Sequence, residues 1–341
     1  MVNAICDEII LKKQYFSQNL ISSIYFGGGT PSILSENALE KILNSIHQNF
    51  TIDKKSEITL EANPDDITNQ KLKAWSGLGI NRLSIGLQSF NDEELKWMNR
   101  AHNAQESETS IKMAQDQGFN NITIDLIYGS KFQTLKSWEH TLQKAIQLKT
   151  QHISSYNLTI EQKTVLGLKH RKGQEPAVND ELSSLQFLMM IDVLTSADFL
   201  HYEISNFGKE NYFAIHNSNY WLGKSYIGVG PSAHSYNGKT RQWNIKSNPQ
   251  YIKKIKEKEP YFEIENLTLE NKYNEYVLTR LRTIWGCDIN EIKKLFGNEI
   301  ANHFLLEIKK KINFIIENKG TYTLNTQGKL QADGIASDLF L

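Results

Sequence analysis

Strand-like and helix-like patterns alternate along the first half of this 341-residue chain, and that alternation narrows its possible folds more than any other feature. Apolar runs of strand length fall at 24–26, 58–62, 83–88, 122–127 and 153–158. Amphipathic patterns lie between them and end in turn signals such as Gly79 and Gly118. In 134–148, Thr134 is a candidate cap, and Leu135, Trp138, Leu142, Ala145 and Ile146 make the apolar stripe. A β-then-α repeat of roughly 25–40 residues implies a parallel sheet. Closed or partly closed, such a sheet carries its site at the C-terminal ends of its strands. Polar residues collect there: 27–30, Glu61, Asn63, Gln88, Tyr156 and Asn157. Asp125 lies inside an apolar strand and needs a partner.

The first of these strand ends is the most distinctive. Ile24-Tyr25-Phe26 runs straight into Gly27-Gly28-Gly29, then Thr30-Pro31-Ser32. The glycines end the strand and let another group approach the backbone closely. Ser35 is a candidate cap for a following helix with Leu39, Ile42, Leu43 and Ile46 on one face. No lysine follows the glycines, so this is no P-loop, and the third glycine of a dinucleotide fingerprint is missing. Bare backbone N–H and C=O groups at a strand end suit a small zwitterion such as an amino acid. A tight strand-to-helix turn is the plainer alternative.

Lys+Arg and Asp+Glu are both 38, so no bulk charge selects nucleic acid or an anionic membrane as partner. No apolar run approaches the roughly 18–20 residues of a membrane span. The N-terminal residues lack a signal-peptide core, which makes a cytoplasmic location the expectation. Cys6 and Cys287 are the two cysteines; neither sits in a C-x-x-C pair, and both read as packing residues.

Residues 4–16 read as an amphipathic helix, 161–177 as a polar, basic loop, and 180–196 as a core helix. Residues 199–238 read as strands and loops that extend the sheet. The character changes after about residue 247, which suggests domains at 1–247 and 248–341. The second begins with a charged run at 253–259. Helical patterns follow at 268–284, 288–296 and 298–316, then a strand-like 320–325 and a last helix from Thr326. Helices with a small hairpin resemble a winged-helix-like module. No basic recognition helix stands out, so a structural or partner-docking role is expected rather than DNA binding.

Tyr25-Phe26-Gly27-Gly28-Gly29-Thr30-Pro31-Ser32 resembles the glycine motif of the radical S-adenosylmethionine (SAM) superfamily. Glu61-Ala62-Asn63-Pro64, Asn81-Arg82-Leu83-Ser84-Ile85-Gly86-Leu87-Gln88-Ser89-Phe90 and Ile124-Asp125-Leu126-Ile127-Tyr128-Gly129 follow the oxygen-independent coproporphyrinogen III oxidase group. His216-Asn217-Ser218-Asn219-Tyr220-Trp221 matches the HNxxYW motif of that group's haem chaperone branch, the HemW-like proteins. The resemblance spans essentially the whole chain. It implies an α/β fold, a partial (βα)6 TIM-like barrel with its first strand missing here, plus a small C-terminal helical, winged-helix-like domain. It also implies that Gly28, Gly29, Thr30, Glu61, Gln88, Arg100 and Asp125 line SAM. On their chemistry alone, Glu61 accepts from an ammonium or ribose hydroxyl, and Arg100 clamps a carboxylate with two parallel bonds.

For haem, the resemblance points to His216, Asn217, Tyr220 and Trp221. An imidazole is a good axial iron ligand and aromatic faces suit a flat macrocycle. From composition alone, a histidine hydrogen-bonded in an aromatic core is the competing reading. His234 is a further candidate ligand. The family holds a [4Fe–4S] cluster with a C-x3-C-x2-C triplet, and this sequence has none. Truncation or a misplaced start is the simplest account, a cluster-free relative the other. These residues should therefore not perform radical chemistry themselves. The leading expectation is a haem chaperone that binds haem and passes it to an acceptor protein, with membrane contact only through that acceptor. The alternatives are an oxygen-independent coproporphyrinogen III oxidase and a cluster-free binding protein on the same scaffold.

Overall fold

The computed structural model describes residues 1–16 and 20–341. Seven strands form its main sheet: β1 (Leu20–Phe26), β2 (Thr51–Ala62), β3 (Arg82–Gln88), β4 (Ile122–Tyr128), β5 (His152–Asn157), β6 (Leu200–Glu203) and β7 (Asn206–Gly208). Their order is β1-β2-β3-β4-β5-β7-β6. Strands β2 to β5 pair in parallel, and the β6–β7 hairpin adds antiparallel to β5. Helices fill the connections: α1 (Val2–Leu11) before β1, α2 (Glu36–Asn49), α3 (Asn69–Gly77), α4 (Asp92–Trp97), α5 (Ala104–Asp116), α6 (Leu135–Gln147), α7 (Val165–Arg171) and α8 (Asp180–Ser196). This is the curled, partial β/α barrel that the alternation implies. Local chemistry sets the helix starts: Ser35 accepts from Ala38 N, and Thr134 forms a capping box with Ser137.

Period-two alternation sorts the strands into two faces. Leu83, Ile85, Leu87, Ile122, Ile124, Leu126 and Ile153 are all fully buried, as the helix-covered face of a parallel sheet requires. The alternate positions are polar: Arg82 and Ser84 in β3, Thr123 and Asp125 in β4, His152 and Ser154 in β5. Arg82 Nη2 donates to Thr123 Oγ1, Thr123 lies 3.1 Å from His152 Nδ1, and His152 Nε2 lies 2.7 Å from the Tyr202 hydroxyl. The barrel face is thus a hydrogen-bonded polar layer rather than an oily plug.

The chain divides into two compact units: Tyr25–Ile33 with Ile58–Ala214, and Met1–Ile24 with Leu34–Glu57 and Ile215–Leu341. The first, the barrel unit, holds the C-terminal ends of β1 and β2 and all of β3 to β7. The second holds α9 (Ile215–Trp221), β8 (His234–Tyr236), β9 (Thr240–Asn244), α10 (Asn248–Glu257), β10 (Phe262–Asn266) and α11 (Leu269–Leu281). It continues through β11 (Cys287–Asp288), α12 (Ile289–Phe296), α13 (Asn298–Lys309), β12 (Ile315–Asn318), β13 (Thr321–Leu324), α14 (Thr326–Lys329) and α15 (Ala332–Ser337). A buried carboxylate fastens α1 into this unit. Glu8 accepts from Tyr251 Oη (2.5 Å), Gly230 N (2.7 Å) and Asn244 Nδ2 (2.7 Å), and pairs with Lys12 at 2.9 Å. With four donors around it, the desolvated charge is satisfied.

Three local expectations change. The stretch 199–238 extends the main sheet only through β6 and β7; it also holds helix α9, and β8 pairs with β9 in a separate sheet. The 161–177 loop contains α7, because Thr164 caps it by accepting from Gly167 N. The 298–316 helix stops at Lys309, and β-branched Ile315 and Ile316 enter β12 instead. Lys319 and Gly320, both at positive φ, then turn the chain into β13, the two-residue turn that a twisted hairpin favours.

Candidate functional site

The glycine loop lies where β1 ends, and Glu61 at the end of β2 reaches across to it. Tyr25 Oη donates to Glu61 Oε1 at 2.7 Å, and Gly28 N donates to Oε2 at 3.2 Å. A Cβ on Gly27 would sit 2.7 Å from Glu61 Oε1, so only glycine lets the carboxylate lie there. Gly28 has φ +77 and open space where a side chain would be. Gly29 and Thr30 follow, and Ser32 Oγ anchors the loop by donating to Asp66 Oδ2 at 2.6 Å.

Arg100 comes to the same strand ends from the turn after α4. Its Nη2 donates to Asn63 Oδ1 (2.7 Å) and to Gly86 O (3.1 Å). Burial lowers its pKa, while Asp65 and Asp125 pull it back up. Gln88 closes β3 in a left-handed conformation, φ 67, at a register shift against β4. Asp125 receives Ser84 Oγ at 3.3 Å, the partner that its place in an apolar strand demanded. Burial first, then the Glu61 charge, raise its pKa to about 6, with Arg82 opposing. So Gly28, Gly29, Thr30, Glu61, Gln88 and Arg100 lie at or near the C-terminal ends of strands in the barrel unit, and Asp125 lies mid-way along β4. Two carboxylates, one guanidinium and exposed amides suit a ligand that bears an ammonium, a carboxylate and hydroxyls, as SAM does.

The second constellation belongs to the other unit. Helix α9 is short, and its start is held by a residue far away in sequence. Glu57 takes Ile215 N on Oε2 (2.9 Å) and His216 N on Oε1 (3.0 Å), which satisfies two orphan amides with one carboxylate. Ser23 Oγ lies 3.1 Å from His216 Nδ1, and Ser22 Oγ accepts from Asn219 Nδ2 at 3.1 Å. The imidazole is half-buried, as is Asn217, and Tyr220 is 46% exposed. Tyr220 packs against Trp221 (5.7 Å) and Tyr226 (5.1 Å), and Tyr226 against Tyr236 (6.1 Å), an aromatic surface of the kind a flat macrocycle covers. Burial, then the neighbouring Tyr220, hold the Tyr226 phenol well above its ordinary range. His234 is exposed at the start of β8, its ring tilted over Trp243.

Residues 4–145 match the model of the radical SAM superfamily. The haem chaperone HemW of Bacillus subtilis (strain 168) is 34% identical over 334 residues, covering 96% of this chain and 88% of that protein. The chain belongs to the HemW family of radical SAM proteins. HemW of Lactococcus lactis subsp. lactis (strain IL1403) is 31% identical, over 88% of this chain and 81% of its own length. The solved coproporphyrinogen III oxidase (HemN) of Escherichia coli shares the fold, with TM-score 0.84 at 22% identity over 99% of this chain and 82% of that one. Among the described residues no helix is long and apolar enough to cross a membrane.

A radical SAM family implies SAM and a [4Fe–4S] cluster. The strand-end residues fit SAM; the thiols present do not fit the cluster. Both cysteines are buried, and burial holds each thiol in its neutral form, above its ordinary pKa. Among the described residues no three His, Cys, Asp or Glu side chains group as metal ligands. Sequence reading missed several supporting residues. The polar positions Arg82, Ser84, Thr123 and His152 were marked by alternation in their strands. Ser23 and Glu57 carried no local signal.

Proposed function

We propose that this HemW-family chain binds haem through His216 and delivers it to an acceptor protein in the cytoplasm. The carrying observation is the seating of His216. Its backbone is pinned by Glu57 and its Nδ1 by Ser23, beside half-exposed Tyr220 and the aromatic row behind it. That arrangement orients an imidazole for ligation, and the HemW relatives carry haem chaperone as their name. Asn217, Tyr220 and Trp221 complete the contact surface. SAM is held separately, with Gly28, Gly29 and Thr30 offering backbone groups, Glu61 and Asp125 facing its cationic and hydroxyl groups, and Arg100 and Gln88 its carboxylate and remaining polar groups. The residues described here bind and orient SAM. Residues 248–341 act as the family's C-terminal helical domain. The test is haem titration of the full chain and of His216→Ala, read by the Soret band and by affinity. Loss or displacement of the band supports the reading, and an unchanged spectrum and affinity overturns the assignment to His216.

A further inference from the structure

Strand β10 is one edge of a three-stranded sheet in the second unit, whose order is β10-β9-β8. It runs antiparallel to β9, with Phe262 opposite Asn244 and Asn266 opposite Thr240. The bonds at its two ends fix which way each residue points. Ile245 N donates to Tyr261 O at 2.9 Å, and Leu267 N donates to Lys239 O at 3.0 Å. Tyr261 and Leu267 therefore bond towards β9, and by alternation so do Glu263 and Glu265. The N–H and C=O groups of Phe262, Ile264 and Asn266 point to the other side, where no strand pairs with them among the described residues. Glu263, Ile264, Glu265 and Asn266 are exposed, and Phe262 is half-buried. Phe262 packs on the core of Tyr251, Ile255 and Tyr261, while Ile264, on the same face, is 54% exposed. An edge this open is a template for another strand.

Charge decides which strand. Glu263 and Glu265 flank Ile264 and share the other face, and Trp243 Nε1 holds Glu263 Oε2 at 3.0 Å. Arg241 lies opposite Glu265 in β9 but pairs with Glu275, so the acidic edge is not neutralised from within the sheet. In a ladder built on the free side, Phe262, Ile264 and Asn266 take the hydrogen-bonded positions. The glutamates fall at the non-hydrogen-bonded ones, where facing side chains come closer. A second copy does not suit this edge. Antiparallel pairing about Ile264 sets Glu263 of one copy opposite Glu265 of the other, and a slip of two residues either way sets a glutamate opposite itself. We propose that the free edge of β10 docks an extended segment of a partner protein that carries Lys or Arg on both sides of an apolar residue. Main-chain bonds supply the affinity, the glutamates choose the partner, and Ile264 meets its apolar residue.

The probe is the peptide Thr-Lys-Val-Lys-Thr, titrated into the isotope-labelled full chain and followed through its amide resonances, with Thr-Glu-Val-Glu-Thr as the acidic counterpart. The basic peptide should shift the amides of β10 and bind about tenfold more tightly than the acidic one, and the gap should narrow as salt rises. Methylating the valine nitrogen of the basic peptide, which removes a donor to the edge, should abolish its binding. Ile264→Pro removes the outward N–H without touching a bond to β9, so it should lose the basic peptide as well. Glu265→Lys should weaken the basic peptide and strengthen the acidic one. Thermal melts establish that each variant is folded, and if Ile264→Pro is not, the methylated peptide and Glu265→Lys decide. No binding of the basic peptide by wild type overturns the proposal and leaves the glutamates as guards against edge pairing. Equal affinity for the two peptides overturns it, as does unchanged binding to a folded Ile264→Pro. Self-association of wild type that Ile264→Pro abolishes gives the edge to a second copy and overturns it too.

Discussion

The strand-end site and the α9 site hold their polar groups in place in opposite ways. At the strand ends, function rides on a repeated backbone plan. Four parallel neighbours each present alternate side chains to one face, so register sets them in rows: Glu61, Ser84, Thr123 and His152 in one, and Asp125 opposite Ser154 two residues further along. Helix α9 has no such plan. It is a seven-residue element whose start is fixed by Glu57, 158 residues back in the chain. A helix this short is marginal by itself, so its conformation depends on those long-range contacts. The two sites should therefore fail independently.

The largest effect is expected at α9. His216→Ala removes the ligand, so the Soret band of the haem complex should be lost or shifted and affinity should fall by more than about tenfold. Stability should change by no more than about 1–2 kcal/mol, because His216 is half-buried rather than a core residue. A large drop in melting temperature with an unchanged haem spectrum would make His216 a scaffold residue and turn attention to His234.

The contrast sharpens with SAM. Arg100→Ala and Glu61→Ala should each abolish SAM binding measured by calorimetry while leaving haem titration unchanged. Glu61→Ala also removes the acceptor that takes the Tyr25 hydroxyl at 2.7 Å. SAM binding that survives both changes would place the pocket elsewhere, and haem binding that falls with it would end the independence argued above.

How far each site was legible follows from the same difference. Strand alternation is local, so the sequence 82–88 already separates Arg82, Ser84, Gly86 and Gln88 from Leu83, Ile85 and Leu87. The helix caps Ser35 and Thr134 are local too, and the structure has both. The supports of α9 are not local. Nothing near Glu57 or Ser23 marks either as a partner of residue 216, and the motif resemblance singled out the segment 216–221 without marking it as a helix. Helix α7 was missed for a different reason: its basic run resembles a solvated loop, and a single threonine cap decides the matter.

A third test uses pH and bears on the barrel unit alone. Asp125 has its pKa raised to about 6, above the usual carboxylate value. A folded-state pKa above the unfolded one means that the folded chain binds the proton more tightly. The associated stability is therefore complete below about pH 4 and lost as pH rises through about 6. Asp125→Asn, neutral throughout, should match wild type at low pH and exceed it above pH 6. The gain has a ceiling of about 3 kcal/mol and should be smaller, because the residue is only half-buried. Melting temperatures of both proteins from pH 4 to 8 check this; a constant difference would mean that Asp125 does not titrate there. Haem affinity should not move with this substitution.

The smallest expected effect discriminates most finely. Ser23 Oγ lies 3.1 Å from His216 Nδ1. Ser23→Ala removes that hydroxyl but leaves the backbone bond from His216 N to Glu57 in place. The helix should therefore persist, with melting temperature almost unchanged, while the ring loses the group that sets its orientation and which nitrogen faces the metal. Outer partners of metal-ligating histidines typically matter by 10–100-fold in metal affinity. A neutral hydroxyl on a half-exposed ring belongs at the low end, so haem affinity should fall by about tenfold with the Soret band broadened rather than abolished. Ser23→Thr, which restores a hydroxyl, should recover most of the loss. A Ser23→Ala protein with wild-type haem affinity and spectrum would mean that Glu57 alone seats the histidine. α9 would then depend on its carboxylate cap, as a strand-end residue depends on its backbone register.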